Sequence, residues 1–255
     1  MNTLSGQHAF ITGGGSGIGL ACAAAFVADG ARVTLAGRTE ARLQQACEHL
    51  GDAAAYIVAD TADETAIGQA IAQANGTAPL TIAVANAGTG SAGPFLATDS
   101  AEWQRVMDTN LNGTFYTLKH AGVALAANGG GAMCAVSSIA GLRTHKLMSA
   151  YCTSKAAIDM LVRNTADELG AQNIRVNSVC PGLVETELSA GLHETDAMRE
   201  DYLSCMPISR TGLPADIGRA VRFLCGPEAA WITGVILPVD GGHHLRRGPN
   251  LEVMM

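Results

Sequence analysis

A net charge of −7 over 255 residues, with 23 acidic against 16 basic side chains and a pI near 5.4, leaves no broad basic face for a nucleic acid. No apolar run reaches the roughly 20 residues a membrane span requires, and the N-terminus lacks a basic-plus-apolar leader pattern, so a soluble cytoplasmic protein engaging no membrane is expected. Seven cysteines without a Cys-x-x-Cys pair, and histidines without ligand spacing, suggest neither a disulfide framework nor a metal site: the cysteines read as reduced and mostly buried, His243-His244 as an exposed tail pair.

The length suits one α/β domain over 1–255, and no linker-like stretch divides it. Apolar runs at 8–12, 32–36, 54–59, 81–85, 132–137, 175–179 and 235–239 alternate with helical patterns at 17–28, 39–50, 63–74, 100–126, 149–170 and 214–224. That alternation predicts βαβ units: a Rossmann fold, its doubly wound parallel sheet of about seven strands covered by helices on both faces. The rhythm breaks at 184–211, where Leu188, Leu192, Met198, Tyr202 and Met206 stand among polar residues. Such an insertion predicts a helical, substrate-binding flap over the ligand end of the sheet.

The first strand runs into Gly13-Gly14-Gly15-Ser16-Gly17-Ile18-Gly19, which opens the first helix. Glycines let the backbone approach a phosphate, and the free N–H groups of a helix start favour an anion, so Gly13, Gly15, Ser16, Gly17, Ile18 and Gly19 are predicted to bind a dinucleotide. At the end of the second strand, where a carboxylate would select the NAD ribose, stands Arg38 followed by Thr39. A guanidinium attracts a 2′-phosphate, which makes NADP(H) the preferred cofactor and NAD(H) the alternative. Asp60-Thr61 closes the third strand, where a carboxylate could accept from the adenine amino group; Asn86-Ala87-Gly88 closes the fourth with small residues that allow close backbone approach.

Tyr151 and Lys155 are four residues apart on a predicted helix and share a face, with Ser138 thirteen residues before the tyrosine. An ammonium beside a phenol favours the phenolate and makes the tyrosine a candidate proton donor near neutral pH.

Together, the glycine loop, Asn86-Ala87-Gly88, Asn110, Ser138, Tyr151 with Lys155, Pro181-Gly182 and Val239-Asp240-Gly241-Gly242 resemble the short-chain dehydrogenase/reductase family in its single-domain soluble form, including its 3-oxoacyl and carbonyl reductases. The resemblance covers nearly the whole chain. It implies Tyr151 as acid or base, Ser138 orienting the substrate oxygen, Lys155 lowering the tyrosine pKa and holding the nicotinamide ribose, and Asn110 supporting a water chain to the lysine. It also implies that Pro181, Gly182, Val184 and Thr186 position the nicotinamide, that no metal is needed, and that 100–126 and 149–170 lie at a homotetramer interface. The expected activity is that of an NADPH-preferring carbonyl reductase or alcohol dehydrogenase, with apolar flap residues favouring an apolar ketone. A 3-oxoacyl thioester reductase is the alternative, disfavoured for a carrier-protein substrate by the absence of basic residues from 121–131; a non-catalytic dinucleotide-binding protein is the alternative of another class.

Overall fold

The computed structural model describes residues 3–192 and 196–246. Seven strands form one parallel sheet: β1 His8–Thr12, β2 Arg32–Gly37, β3 Ala54–Val58, β4 Ile82–Ala85, β5 Gly131–Val136, β6 Ile174–Pro181 and β7 Ile236–Val239. Their order is β3-β2-β1-β4-β5-β6-β7, so the chain reverses its direction of winding between β1 and β4. The helices are α1 Gly17–Ala28, α2 Glu40–Leu50, α3 Glu64–Thr77, α4 Ser100–Met107, α5 Gly113–Ala127, α6 Ser149–Leu169, α7 Asp196–Ser204 and α8 Pro214–Cys225.

The strands are apolar on both sides because each side meets a helical layer. Ile11, Leu35, Val84 and Cys134 enter one core with Phe26 of α1, Leu43 of α2 and Val221 of α8. The alternate residues Phe10, Ala83 and Met133 enter the other, with Ile67 of α3, Leu118 of α5 and Ile158 of α6. Small residues bring the layers close: a Cβ on Gly218 of α8 would lie 2.5 Å from the Ala21 carbonyl of α1. Helix starts follow local chemistry. The Asp63 carboxylate accepts the Ala66 N–H at 3.1 Å ahead of α3, and α8 begins with Pro214 while Asp216 accepts the Leu213 N–H at 2.9 Å.

The predicted helix over 100–126 is interrupted. A π turn at Asp108–Asn112 separates α4 from α5 and places Asn110 in the interior, where side-chain bonds to Thr89 and Ser154 outweigh regular α geometry. The expected flap leaves β6 through a bridge between Val184 and Gly212 and contains a 3-10 turn, Glu187–Leu192, followed by α7. Met206 is buried beneath it. The side chains of Leu192 and Met198 lie outside the described residues.

His243 departs from the expected exposed tail. It is buried, edge-on to Tyr202 and His145, because the Arg143 guanidinium donates to its carbonyl at 2.6 Å and holds the C-terminal turn against the loop after β5. His244 pairs with the Asp240 carboxylate at 2.8 Å. None of the seven cysteines is joined in a disulfide, and five are buried.

Candidate active site

A cleft of about 610 Å³ opens at the C-terminal ends of the strands, over the switch point between β1 and β4. Its floor is the glycine loop. Gly13 and Gly17 have φ of +64° and +52°, a region that L side chains rarely adopt. Gly19 lies under the turn and not on the cleft wall: a Cβ there would meet the Gly13 carbonyl and, at 2.6 Å, Asn86 Nδ2. Gly13, Gly15, Ser16, Gly17 and Ile18 line the cleft.

Asn86 is the brace of this loop. Its Nδ2 donates to the Thr12 and Gly13 carbonyls at 3.0 and 3.2 Å, while the Thr12 hydroxyl accepts the Asn86 and Ala87 N–H groups. The turn after β1 is thereby tied to the end of β4, and Asn86, Ala87 and Gly88 all border the cleft.

Arg38 and Thr39 line the β2 end of the cleft. Arg38 is exposed and has no ion-pair partner among the described residues. Arg42, one turn farther along, forms a 2.7 Å ion pair with Glu187, joining α2 to the flap across the cleft mouth. Thr61 lines the wall, whereas Asp60 stands off it with Oδ1 accepting the Ala62 N–H at 3.0 Å. Pro181, Gly182, Val184 and Thr186 form the opposite wall, and a Cβ on Gly17 would lie 3.4 Å from the Thr186 methyl. Glycine walls that a Cβ would fill, helix-start N–H groups and an unpaired guanidinium fit a nicotinamide dinucleotide.

At the inner end stand Ser138, Tyr151 and Lys155. Ser138 follows β5 and caps a 3-10 turn, its Oγ accepting the Ala140 N–H at 3.1 Å. Tyr151 and Lys155 rise from the first turns of α6, with Nζ 5.6 Å from the phenol ring centroid. Lys155 is buried and donates to the Val136 carbonyl at 2.9 Å. Asn110 sits behind, off the cleft wall: Oδ1 accepts the Thr89 N–H at 2.7 Å, and Nδ2 donates to the Thr89 carbonyl and to Ser154 Oγ, at 3.0 and 3.1 Å. Gly88 separates Asn110 from Lys155; a Cβ there would lie 3.3 Å from Asn110 Oδ1 and 3.6 Å from Lys155 Nζ.

The electrostatics differ from the expectation drawn from spacing. Burial raises the Tyr151 pKa, opposed by hydrogen bonding with Ser138. Burial also lowers Lys155 to about 8, against the attraction of Cys180 and Asp159. Desolvation thus favours the neutral form of both groups. The lysine is brought into the neutral range, where a proton can be exchanged.

Several residues of the site carry no isolated sequence signal. Thr12, Thr89 and Ser154 act through partners 21 to 75 positions away, and Arg42 and Glu187 are 145 apart. His145, Met148, Leu183, Leu188 and Tyr202 line the same cleft. Leu188 and Tyr202 are among the flap residues expected from the sequence, whereas Met206 belongs to the interior. No cluster of three or more His, Cys, Asp or Glu gathers among the described residues in a way that could hold a metal.

Comparison with known proteins agrees with this geometry. A family model described as enoyl-(acyl carrier protein) reductase matches residues 13–244. Galactitol 2-dehydrogenase (L-tagatose-forming) of Cereibacter sphaeroides is 40% identical over 243 residues, covering 94% of this chain and 96% of that protein. Inactive 2-(S)-hydroxypropyl-CoM dehydrogenase 2 of Xanthobacter autotrophicus is 40% identical over 225 residues, covering 86% and 98%. A solved short-chain type dehydrogenase/reductase from Mycobacterium ulcerans superposes with a TM-score of 0.92 at 39% identity, covering 98% of this chain and 94% of that one. The chain belongs to the short-chain dehydrogenase/reductase family, oxidoreductases that act on CH–OH and carbonyl groups with a nicotinamide dinucleotide.

Proposed function

We propose that the protein interconverts a ketone and a secondary alcohol, prefers NADP(H), and uses Tyr151 as the acid in reduction and the base in oxidation. The observation that carries this reading is the gathering of Tyr151, Ser138 and Lys155 at one end of a cleft whose other end holds the glycine loop and Arg38. Bound along that cleft, the nicotinamide would donate or accept the hydride. The chain's own residues hold the geometry and move the proton. Ser138 Oγ and the Tyr151 hydroxyl would both hydrogen-bond the substrate oxygen, stabilising the charge that grows on it. Tyr151 would deliver its proton to that oxygen, and Lys155, with a pKa near 8, would stabilise the resulting phenolate. Asn110 fixes the backbone at Thr89 and the turn of α6 at Ser154, supporting a water path behind the lysine.

Preference for the 2′-phosphate rests on Arg38 and its lack of an ion-pair partner among the described residues. Met148, Leu183 and Leu188 support an apolar flank on the substrate. A hydroxylated substrate is a second reading, favoured by His145 and Tyr202 in the same cleft and by the polyol named for the Cereibacter sphaeroides relative. An acyl-thioester substrate is a third, favoured by the description of the matching family model. The inactive relative makes turnover itself worth measuring. Seven cysteines without a disulfide among them fit a reducing compartment such as the cytoplasm, and exposed Phe115, Val123 and Met160 on α5 and α6 support a homotetramer built through those helices.

The test is a panel of apolar ketones, polyols and 3-oxoacyl thioesters, with their alcohols, assayed with each nicotinamide cofactor by absorbance of the reduced ring. Turnover of a ketone/secondary alcohol pair with lower KM for NADPH than NADH is expected. Turnover confined to carbon–carbon double bonds, or none with any pair, would overturn the reading.

A further inference from the structure

Beneath the catalytic helix lies a buried carboxylate that the proposed chemistry does not use. Asp159 of α6 is 3% exposed, one turn after Lys155 and two after Tyr151. Its Oδ1 accepts the Ser178 hydroxyl of β6 at 3.2 Å, and the Cys180 thiol of the same strand approaches both oxygens at 3.8 and 3.9 Å. From the third side comes the turn after Ser138. A Cβ on Gly141 would lie 2.8 Å from Asp159 Oδ2 and 2.9 Å from the Lys155 carbonyl carbon, so only glycine lets that turn close onto the carboxylate. Ser137 Oγ spans the same junction and donates to the Lys155 carbonyl at 3.2 Å.

Three segments therefore meet at one carboxylate: the turn bearing Ser138, the helix bearing Tyr151 and Lys155, and the strand that ends in Pro181. Each carries one part of the site. A buried carboxylate is costly unless it is hydrogen-bonded, and an amphipathic helix would ordinarily place an apolar side chain here. We infer that Asp159 is a positioning residue, which fixes the spacing of these three segments and sets a negative charge behind Lys155.

The surrounding charges agree. Burial raises the Asp159 pKa, while hydrogen bonds from Ser137 and Ser178 and the charges of Arg163 and Lys155 work to keep it ionised. Asp159 in turn raises Lys155 against desolvation, and burial together with the Asp159 charge pushes the Cys180 thiol to about 12. The ionisable groups facing Lys155 are thus Tyr151 and Asp159 on its own helix and Cys180 on β6. Without the Asp159 charge, the protonated forms of the Tyr151 and Lys155 pair lose support and their joint titration moves to lower pH.

The inference rests on the proposed role of Tyr151, and a Tyr151→Phe control separates the two claims. The experiment compares kcat/KM for alcohol oxidation against pH in the full-length enzyme and in Asp159→Asn, Asp159→Ser and Asp159→Glu, with cofactor Kd measured by fluorescence. Both neutral variants are expected to move the rising limb down by about half a unit or more and to lower kcat roughly tenfold, at a cofactor Kd within about twofold. Asp159→Glu should return the limb toward its original position. A limb unmoved in the neutral variants would overturn the inference, and so would failure of both to fold, which would make Asp159 structural alone. If Tyr151→Phe oxidises the alcohol at the wild-type rate, the proton-transfer reading falls; if Tyr151→Phe is inactive and the Asp159 limb stays fixed, only the Asp159 claim falls.

Discussion

Replacing Lys155 with methionine separates the charge of this side chain from its packing. The ammonium is 4% exposed and its pKa is lowered from 10.5 to about 8, so the folded state disfavours the charged form. The unfolded chain retains the higher pKa and binds more protons between about 8 and 10.5, which makes stability rise with pH across that window. The shift of 10.5 − 8, or 2.5 units, corresponds to about 3 kcal/mol of destabilisation below pH 8. Lys155→Met removes that penalty and also the bond to the Val136 carbonyl, a loss of about 1–2 kcal/mol. The variant is therefore expected to be more stable than wild type by about 1–2 kcal/mol at pH 7 and less stable by a similar amount at pH 10.5, while lacking activity. Urea unfolding of both proteins at matched concentration, at the two pH values, reads the difference, because groups remote from Lys155 titrate alike in both proteins. A stability difference identical at pH 7 and pH 10.5 would refute the buried-ammonium argument.

Two other perturbations test the cofactor end. Arg38→Asp should weaken NADPH binding by about 2–3 kcal/mol, roughly 30- to 150-fold, with little effect on NADH, since it removes a guanidinium partner of a phosphate and adds a like charge; equal losses for both cofactors, measured by fluorescence titration, would contradict the assignment. Asn86→Ala deletes the bonds to the Thr12 and Gly13 carbonyls and should cost about 2 kcal/mol, a fall in Tm of roughly 4–8 °C by calorimetry. An unchanged Tm would mean that the glycine turn holds without its brace.

Features set by near neighbours were legible in the chain. The strand, glycine loop and helix from His8 to Ala28 follow from an apolar run, positions that tolerate only glycine, and an alanine-rich continuation. Tyr151 and Lys155 share a helix face by spacing alone. What escaped the sequence depends on distant partners. The π turn at Asn110 arises from bonds to Thr89 and Ser154, 21 and 44 residues away, and nothing local in 100–126 marks it. His243 is buried because Arg143, 100 residues earlier, holds its carbonyl. Spacing favours a lowered tyrosine pKa, but burial, which no short pattern records, raises it. Asp159 looks like an ordinary polar residue of a helix until β6 and the Ser138 turn close around it.

The claim on which the account stands is that Tyr151 exchanges the proton with the substrate oxygen. The direct measurement is the rate of ketone reduction by Tyr151→Phe under saturating NADPH, on protein shown by fluorescence to bind the cofactor as wild type does. A fall of roughly 10²–10⁴-fold is expected. Reduction at the wild-type rate with the phenol hydroxyl gone would contradict it.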